Sequence, residues 1–206
     1  MADLRFETAV SPQFSRIVGI DEAGRGALAG PVVAAAVLLP LHDEAAMGEL
    51  TAVNDSKQLS PKKRDIFYDL ITEYALAFGV GMESAAVVDE IGIIQATKRA
   101  MKTAVFQINP APDYLLIDGR IRLTSLNISQ QSIIRGDSKS VSIAAASIIA
   151  KVTRDRVMVE MGTLYPAYGF AQHKGYGTQM HRDVIAAQGA CPIHRQTFAP
   201  IRQSLL

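Results

Sequence analysis

Two apolar runs near the N-terminus, Ile17-Val18-Gly19-Ile20-Asp21 and Val32 to Leu39, constrain the fold more than any other feature of the sequence. The first is rich in β-branched residues. The second is apolar on both faces, which places it centrally in a sheet. The chain between them is short and turns on Gly24-Arg25-Gly26, so the two runs pair as an antiparallel hairpin. Leu76 to Met82 reads as a third strand, Tyr114 to Asp118 as a short buried fourth, and Ser132 to Arg135 as a fifth.

Helical signals fill the remaining chain. Ser60-Pro61 starts a helix, because serine caps the free amides and proline fits the first helical position. Ile66, Phe67, Leu70, Ile71 and Tyr74 then share one face. A longer stretch from about Ala85 to Gln107 breaks near Gly92. Lys139 to Met161 is a long helix, apolar nearly all round, with a narrow stripe of Ser140, Ala144, Ser147, Lys151 and Arg154. Thr178 to Ala187 is a last helix. Hairpin strands followed by helices alternating with strands indicate an α/β domain with a mixed sheet. A length of 206 residues, 49% of them hydrophobic, suits one such domain.

Cys191 is the only cysteine, which excludes an intrachain disulfide and a cysteine-rich zinc site. The N-terminus has no basic region followed by an apolar stretch, so no secretory signal is read there. The most apolar segment, Pro31 to Pro40, falls short of the roughly 20 residues a membrane helix needs. A soluble, cytoplasmic, monomeric protein with no membrane contact is expected. The net charge of +1 hides a split: residues 1–117 carry −5 and residues 118–206 carry +6. Such a division can set cations beside a polyanion.

Three acidic residues share one context. Asp21 ends the first strand, Asp118 ends the fourth, and Asp137 precedes the long helix. Strand-end carboxylates of an α/β sheet can converge on one edge, where ligands bind. Glu22 follows Asp21 directly. Carboxylates brought together repel one another unless a cation intervenes, and oxygen-only donors favour Mg²⁺ or Mn²⁺. Two such ions form the clamp used for displacement at phosphorus. Plainer readings stand beside this one. Asp118-Gly119 suits a turn, and Asp137 suits a helix cap. Asp21 and Glu22 face opposite sides of a strand unless it ends or bulges there. The segment Gly24 to Gly30 has the wrong glycine spacing for a dinucleotide site and leads into a strand, not a helix.

Five segments in order, IVGIDEAGRGALAGPVV, NDSKQLSPKKR, LLIDG, GDSKSVSIAAASIIAKVTRDR and HKGYGT, together closely resemble the bacterial type 2 ribonucleases H, ribonuclease HII. The likeness runs from Ile17 to Phe198. It implies the ribonuclease H-like fold: a five-stranded mixed sheet flanked by helices, with a small helical C-terminal part. Residues 1–16 would then be an N-terminal segment and residues 17–206 the catalytic domain. The resemblance implies Asp21, Glu22, Asp118 and Asp137 as catalytic residues holding two Mn²⁺ or Mg²⁺ ions. The implied activity is cleavage of the RNA strand of RNA–DNA hybrids and nicking of duplex DNA 5′ of embedded ribonucleotides, leaving 3′-hydroxyl and 5′-phosphate ends.

By the same resemblance the backbone of Gly24, Arg25 and Gly26 would read the 2′-hydroxyl, Tyr176 would stack on the neighbouring sugar, and Lys57 and Arg64 would hold phosphates. The 2′-hydroxyl is the group that separates RNA from DNA at a site. Ser147 joins the substrate-binding set from the helical stripe, where Lys151 and Arg154 either pack at the sheet or meet phosphate. His173 or Lys174 could assist the leaving group, but a lone histidine in a polar loop is more often merely exposed. Arg25 in the glycine turn and the short leader before Ile17 favour type HII over type HIII. An integrase-like nuclease or a non-cutting hybrid-binding protein fits less well, given the glycine turn and the full acidic set. The last residues, Arg202 to Leu206, faintly resemble a sliding-clamp-binding tail.

Overall fold

The computed structural model describes residues 2–50, 60–199 and 201. In chain order its elements are α1 (Arg5–Val10), β1 (Ile17–Ala23), β2 (Val32–Leu38), α2 (Glu44–Leu50), α3 (Pro61–Tyr74), β3 (Ala77–Glu83), α4 (Ala85–Ile91), α5 (Ile93–Phe106), β4 (Tyr114–Asp118), β5 (Ser129–Ile133), α6 (Val141–Leu164), α7 (Phe170–His173) and α8 (Gln179–Gln188). A 3-10 turn, Gly136–Ser138, stands between β5 and α6.

The expected hairpin forms: β1 and β2 pair antiparallel without interruption from Val18 opposite Leu38 to Ala23 opposite Val33. β3 adds antiparallel to β2, while β4 and β5 add in parallel on the other side of β1. The order is β3-β2-β1-β4-β5, a five-stranded mixed sheet. β2 is buried at every position, as its unbroken apolar run requires.

Helices cover both faces. Ala100, Met101 and Ala104 of α5 pack on Val18, Ile20, Ala34 and Ile117. On the other face, Ala144, Ala145 and Ile148 of α6 pack with Ala35, Val37 and Ile71. The start of α6 lies directly on β1 at Gly19, where a Cβ would come within 2.1 Å of the Ser142 carbonyl carbon. This central position explains why α6 is apolar nearly all round.

Most helix signals hold. Ser60 Oγ accepts from Lys63 N–H, and Gly92, at φ +79°, separates α4 from α5. On α3, Ile71 is buried and Phe67, Leu70 and Tyr74 are half-buried, but Ile66 is 51% exposed and lies off the packed face. The fifth strand lies at Ser129–Ile133, three residues earlier than its apolar signal. Its anchoring is polar: the Gln130 side chain bonds Leu123 N–H and Leu123 O, and Ser132 Oγ donates to Ile121 O. The short helices α1 and α2 carry no sequence signal of their own. Among the described residues no helix is long and apolar enough to cross a membrane.

Candidate active site

Pairing between β1 and β4 ends at Ile20 opposite Ile117. Asp21 and Asp118 are the next residues on the two strands. Asp118 Oδ1 accepts from Gly136 N–H at 2.6 Å, which ties the end of β4 to the 3-10 turn carrying Asp137. Asp137 is not the helix cap. That role belongs to Ser140, whose Oγ accepts from Ile143 N–H at 3.2 Å.

Asp21 is only 3% exposed, and its Oδ1 accepts from Glu22 N–H at 2.7 Å. Burial, and after it the charges of Glu22, Asp118 and Asp137, push its pKa well above the usual carboxylate range. All four acidic residues therefore act in one electrostatic neighbourhood. The expected obstacle at Glu22 is real, because β1 neither ends nor bulges against β2 there: Glu22 stands opposite Ala34 and Ala23 opposite Val33. Only the β4 side of the strand has ended. Glu22 nevertheless raises the Asp21 pKa and lines the cleft beside it.

The donor set is entirely oxygen and one member is destabilised as an anion, which suits a hard divalent cation. Among the described residues no three Asp, Glu, His or Cys side chains already stand close enough together to hold an ion. The fit lies in donor chemistry and charge, with Asp21 and Asp118 each steadied by a backbone amide.

A cavity of about 310 Å³ opens at Glu22, the one of the four carboxylates that lines it, together with Ala23, Gly24, Arg25, Ser147, Lys151 and Tyr176. A larger one of about 700 Å³ shares Lys151 and Tyr176 and runs along α3 and α6 past Arg64 and Arg156. The structure thus brings together the candidates Gly24, Arg25, Ser147 and Tyr176, and puts Arg64 in the adjoining cleft. Arg25 pairs with Glu22 at 3.1 Å. Lys57 and the tail from Arg202 to Leu206 lie outside the described residues.

Tyr176 is better packed than a tyrosine between two glycines suggests. The Arg154 guanidinium and the Lys151 ammonium lie 5.2 and 5.4 Å from its ring centroid. The helical stripe divides: Ser147 and Lys151 reach the cleft, whereas Arg154 is fully buried on main-chain carbonyls and is no phosphate contact. His173 is buried rather than exposed. Its Nδ1 accepts from Gly175 N–H at 3.2 Å and its Nε2 donates to Tyr168 O at 2.6 Å, so both ring nitrogens are committed. Lys174 Nζ donates to Ala171 O. The sequence reading misses Arg195, a second fully buried arginine behind the glycine turn, and no local signal marks it.

Residues 18–201 match the sequence pattern of ribonuclease HII. The chain belongs to the ribonuclease HII family. Ribonuclease HII of Geobacter sulfurreducens is 56% identical over 192 residues, covering 93% of this chain and 86% of the relative. That of Geobacter metallireducens is 54% identical, covering 96% and 91%. Members are metal-dependent endoribonucleases that cut the RNA strand of RNA–DNA hybrids. Among solved structures, ribonuclease H2 of Pyrococcus horikoshii superposes with a TM-score of 0.78 at 23% identity, covering 92% of this chain and 97% of that one. Ribonuclease HII of Archaeoglobus fulgidus, solved in complex with PCNA, gives 0.76 at 27% identity, with coverages of 89% and 95%. Bst-RNase HIII in complex with Mn²⁺ gives 0.69 at 22% identity, covering 95% and 71%. The ribonuclease H-like fold expected from the motifs is the observed one.

Proposed function

We propose that this chain, besides cutting the RNA strand of hybrids, nicks duplex DNA 5′ of an embedded ribonucleotide and leaves 3′-hydroxyl and 5′-phosphate ends. Asp21, Glu22, Asp118 and Asp137 hold two Mg²⁺ or Mn²⁺ ions; Bst-RNase HIII, of the same fold, has been solved with Mn²⁺. Such ions supply Lewis-acid activation of water and of the leaving oxygen. The protein's own part is to orient the carboxylates and to place the ribose. Backbone amides of Gly24, Arg25 and Gly26 read the 2′-hydroxyl of the ribose, Tyr176 stacks on the neighbouring sugar, and Ser147, Arg64 and Lys57 hold the strand. Residues 17–206 act as one catalytic domain behind the short segment 1–16.

The observation that carries this reading is an acidic cluster beside a turn with unclaimed donors. Among the described residues the amides of Gly24, Arg25 and Gly26 find no acceptor. A Cβ at Gly26 would meet nothing within 4 Å. Among the described residues nothing calls for glycine there, whereas close approach of a ligand does.

The test is a DNA duplex carrying one ribonucleotide, incubated with Mg²⁺, Mn²⁺ or EDTA and mapped at nucleotide resolution. A single nick 5′ of the ribonucleotide with either ion, and none with EDTA, is expected. Cleavage confined to tracts of several ribonucleotides would overturn the reading. The tail Arg202 to Leu206 is proposed as a sliding-clamp contact, in keeping with the Archaeoglobus complex. Deleting Gln203 to Leu206 should then abolish clamp pull-down.

A further inference from the structure

Arg154 and Arg195 are both fully buried, and among the described residues neither forms an ion pair with a carboxylate. Their donors go to main-chain carbonyls instead. Arg154 donates from Nε to Pro31 O at 2.9 Å, from Nη2 to Ala29 O at 3.1 Å and from Nη1 to Lys174 O at 2.9 Å. Arg195 donates from Nε and Nη2 to Gly30 O at 3.2 and 3.0 Å and from Nη1 to Arg25 O at 2.8 Å. The main chain completes the frame. Leu28 N–H donates to Gly175 O at 2.8 Å, Gly30 N–H to Ile193 O at 2.8 Å, and Arg195 N–H to Leu28 O at 2.9 Å.

The carbonyls of Arg25, Leu28, Ala29 and Gly30 are thus taken from inside, while the amides at 24–26 are not. A trans peptide is planar, with its C=O and N–H pointing in opposite directions. Holding Arg25 O inward on Arg195 therefore turns Gly26 N–H outward. Holding Gly24 O on Ala27 N–H does the same for Arg25 N–H. Arg154 also ties the turn to Lys174 O, two residues before Tyr176, and its Nε lies 2.0 Å from where a Gly24 Cβ would stand. Gly24, at φ +91°, is obligatory on both counts.

We infer that Arg154 and Arg195 are positioning residues for ribose recognition, fixing the direction of the donor amides and the spacing between the glycine turn and Tyr176. The inference rests on the proposed reading of that turn as the ribose contact. Burying two unpaired cations is expensive, and apolar side chains would fill the space at less cost. What a guanidinium adds is a rigid planar fork that bonds separate carbonyls from three different nitrogens, whereas a lysine has one donor nitrogen at the end of a flexible stem.

The test measures affinity for two duplexes, all-DNA and carrying one ribonucleotide, with Ca²⁺ replacing Mg²⁺ so that the strand stays intact. The wild type should prefer the ribonucleotide. Arg195→Lys should lose that preference by about tenfold while binding all-DNA duplex as before. A variant that merely lost folded protein would lower the number of active sites, not the ratio of affinities. A full preference retained in folded Arg195→Lys overturns the inference alone. A wild-type ratio of one overturns the ribose reading and the inference with it. Arg154→Lys is the second variant. Hydrogen exchange on the wild type needs no variant: Leu28 and Gly30 amides should be as protected as β1, with those of 24–26 protected only on adding duplex. Fast exchange at Leu28 and Gly30 would also overturn the frame.

Discussion

Asp21 is held where its own charge is least welcome, out of water and facing three other carboxylates. Folding alone does not favour that arrangement; cation binding does. Asp21→Asn keeps an oxygen to accept Glu22 N–H and removes the charge. In EDTA the variant should therefore be more stable by about 1 kcal/mol, or 2–4 °C in Tm for a chain of this size. Its Mg²⁺-dependent hydrolysis should fall by roughly 100–1000-fold or more. Differential scanning calorimetry and single-turnover cleavage check the two halves, and a variant less stable than wild type in EDTA would refute the electrostatic account. At this scale the acidic set was legible because Asp21 and Asp118 each close an apolar run and Asp137 lies just ahead of the long helix. Arg154 was only half legible. Helical phase places it on one stripe with Ser147 and Lys151, but the glycine turn covers the stripe at 154 and leaves it open at 151. Arg195 was illegible, since no sequence pattern distinguishes an arginine that will bond to carbonyls from one that will face water.

Among the elements, α8 and the chain after it hold Tyr176 from behind. His181 Nδ1 lies 3.0 Å from Tyr176 O, an atom that only accepts, so Nδ1 carries the proton. His181 Nε2 is then the acceptor for His194 Nε2–H at 3.0 Å, and His194 Nδ1 accepts from Cys191 N–H at 2.9 Å. The chain works only with both imidazoles neutral. Burial holds the His194 pKa low and that of His181 down to about 4, with the neighbouring histidines adding to the shift of His181. Above pH of about 6.5 neither the folded nor the unfolded chain protonates His181, and its effect on stability is constant. Between about 6.5 and about 4 the unfolded chain takes up the proton first, so stability should fall with pH over that window and level off below it. Urea unfolding at several pH values checks this, with His181→Gln expected to flatten the slope; an unchanged slope would remove His181 from the account. Elements with caps were legible in sequence, as Ser60 and Thr178 show. The six-residue α1 was not, because so short a helix has no stability of its own. It is held by Glu7, which accepts from Ser140 Oγ and Ser142 N–H at 2.6 and 3.0 Å, a long-range contact without local signature.

Across the whole molecule the near-zero net charge conceals how the charges meet. The two halves of the sequence do not become two sides of the fold: Asp118 and Asp137 from the basic half lie with Asp21 and Glu22, and Arg64 from the acidic half faces the larger cleft with Lys151 and Arg156. The cleft is not uniformly basic either. Lys151 pairs with Asp155 at 2.7 Å and Arg156 with Asp65 at 3.7 Å. Such partly exposed pairs contribute little to folding and are open to exchange for a phosphate. Phosphate contacts release counterions, so log affinity for a hybrid should fall linearly with log salt, by about 0.9 for each phosphate held. Arg64→Gln should lower that slope by about one unit and weaken ribonucleotide-containing and all-DNA duplexes alike. This is the opposite signature to Arg195→Lys, which should change the ratio between the two duplexes and leave the salt slope alone. Titrations at several salt concentrations with both duplexes separate the two proposed roles, a grip on the backbone by Arg64 and an aiming of the glycine turn by Arg195. An unchanged slope in Arg64→Gln would take the larger cleft out of the path of the strand.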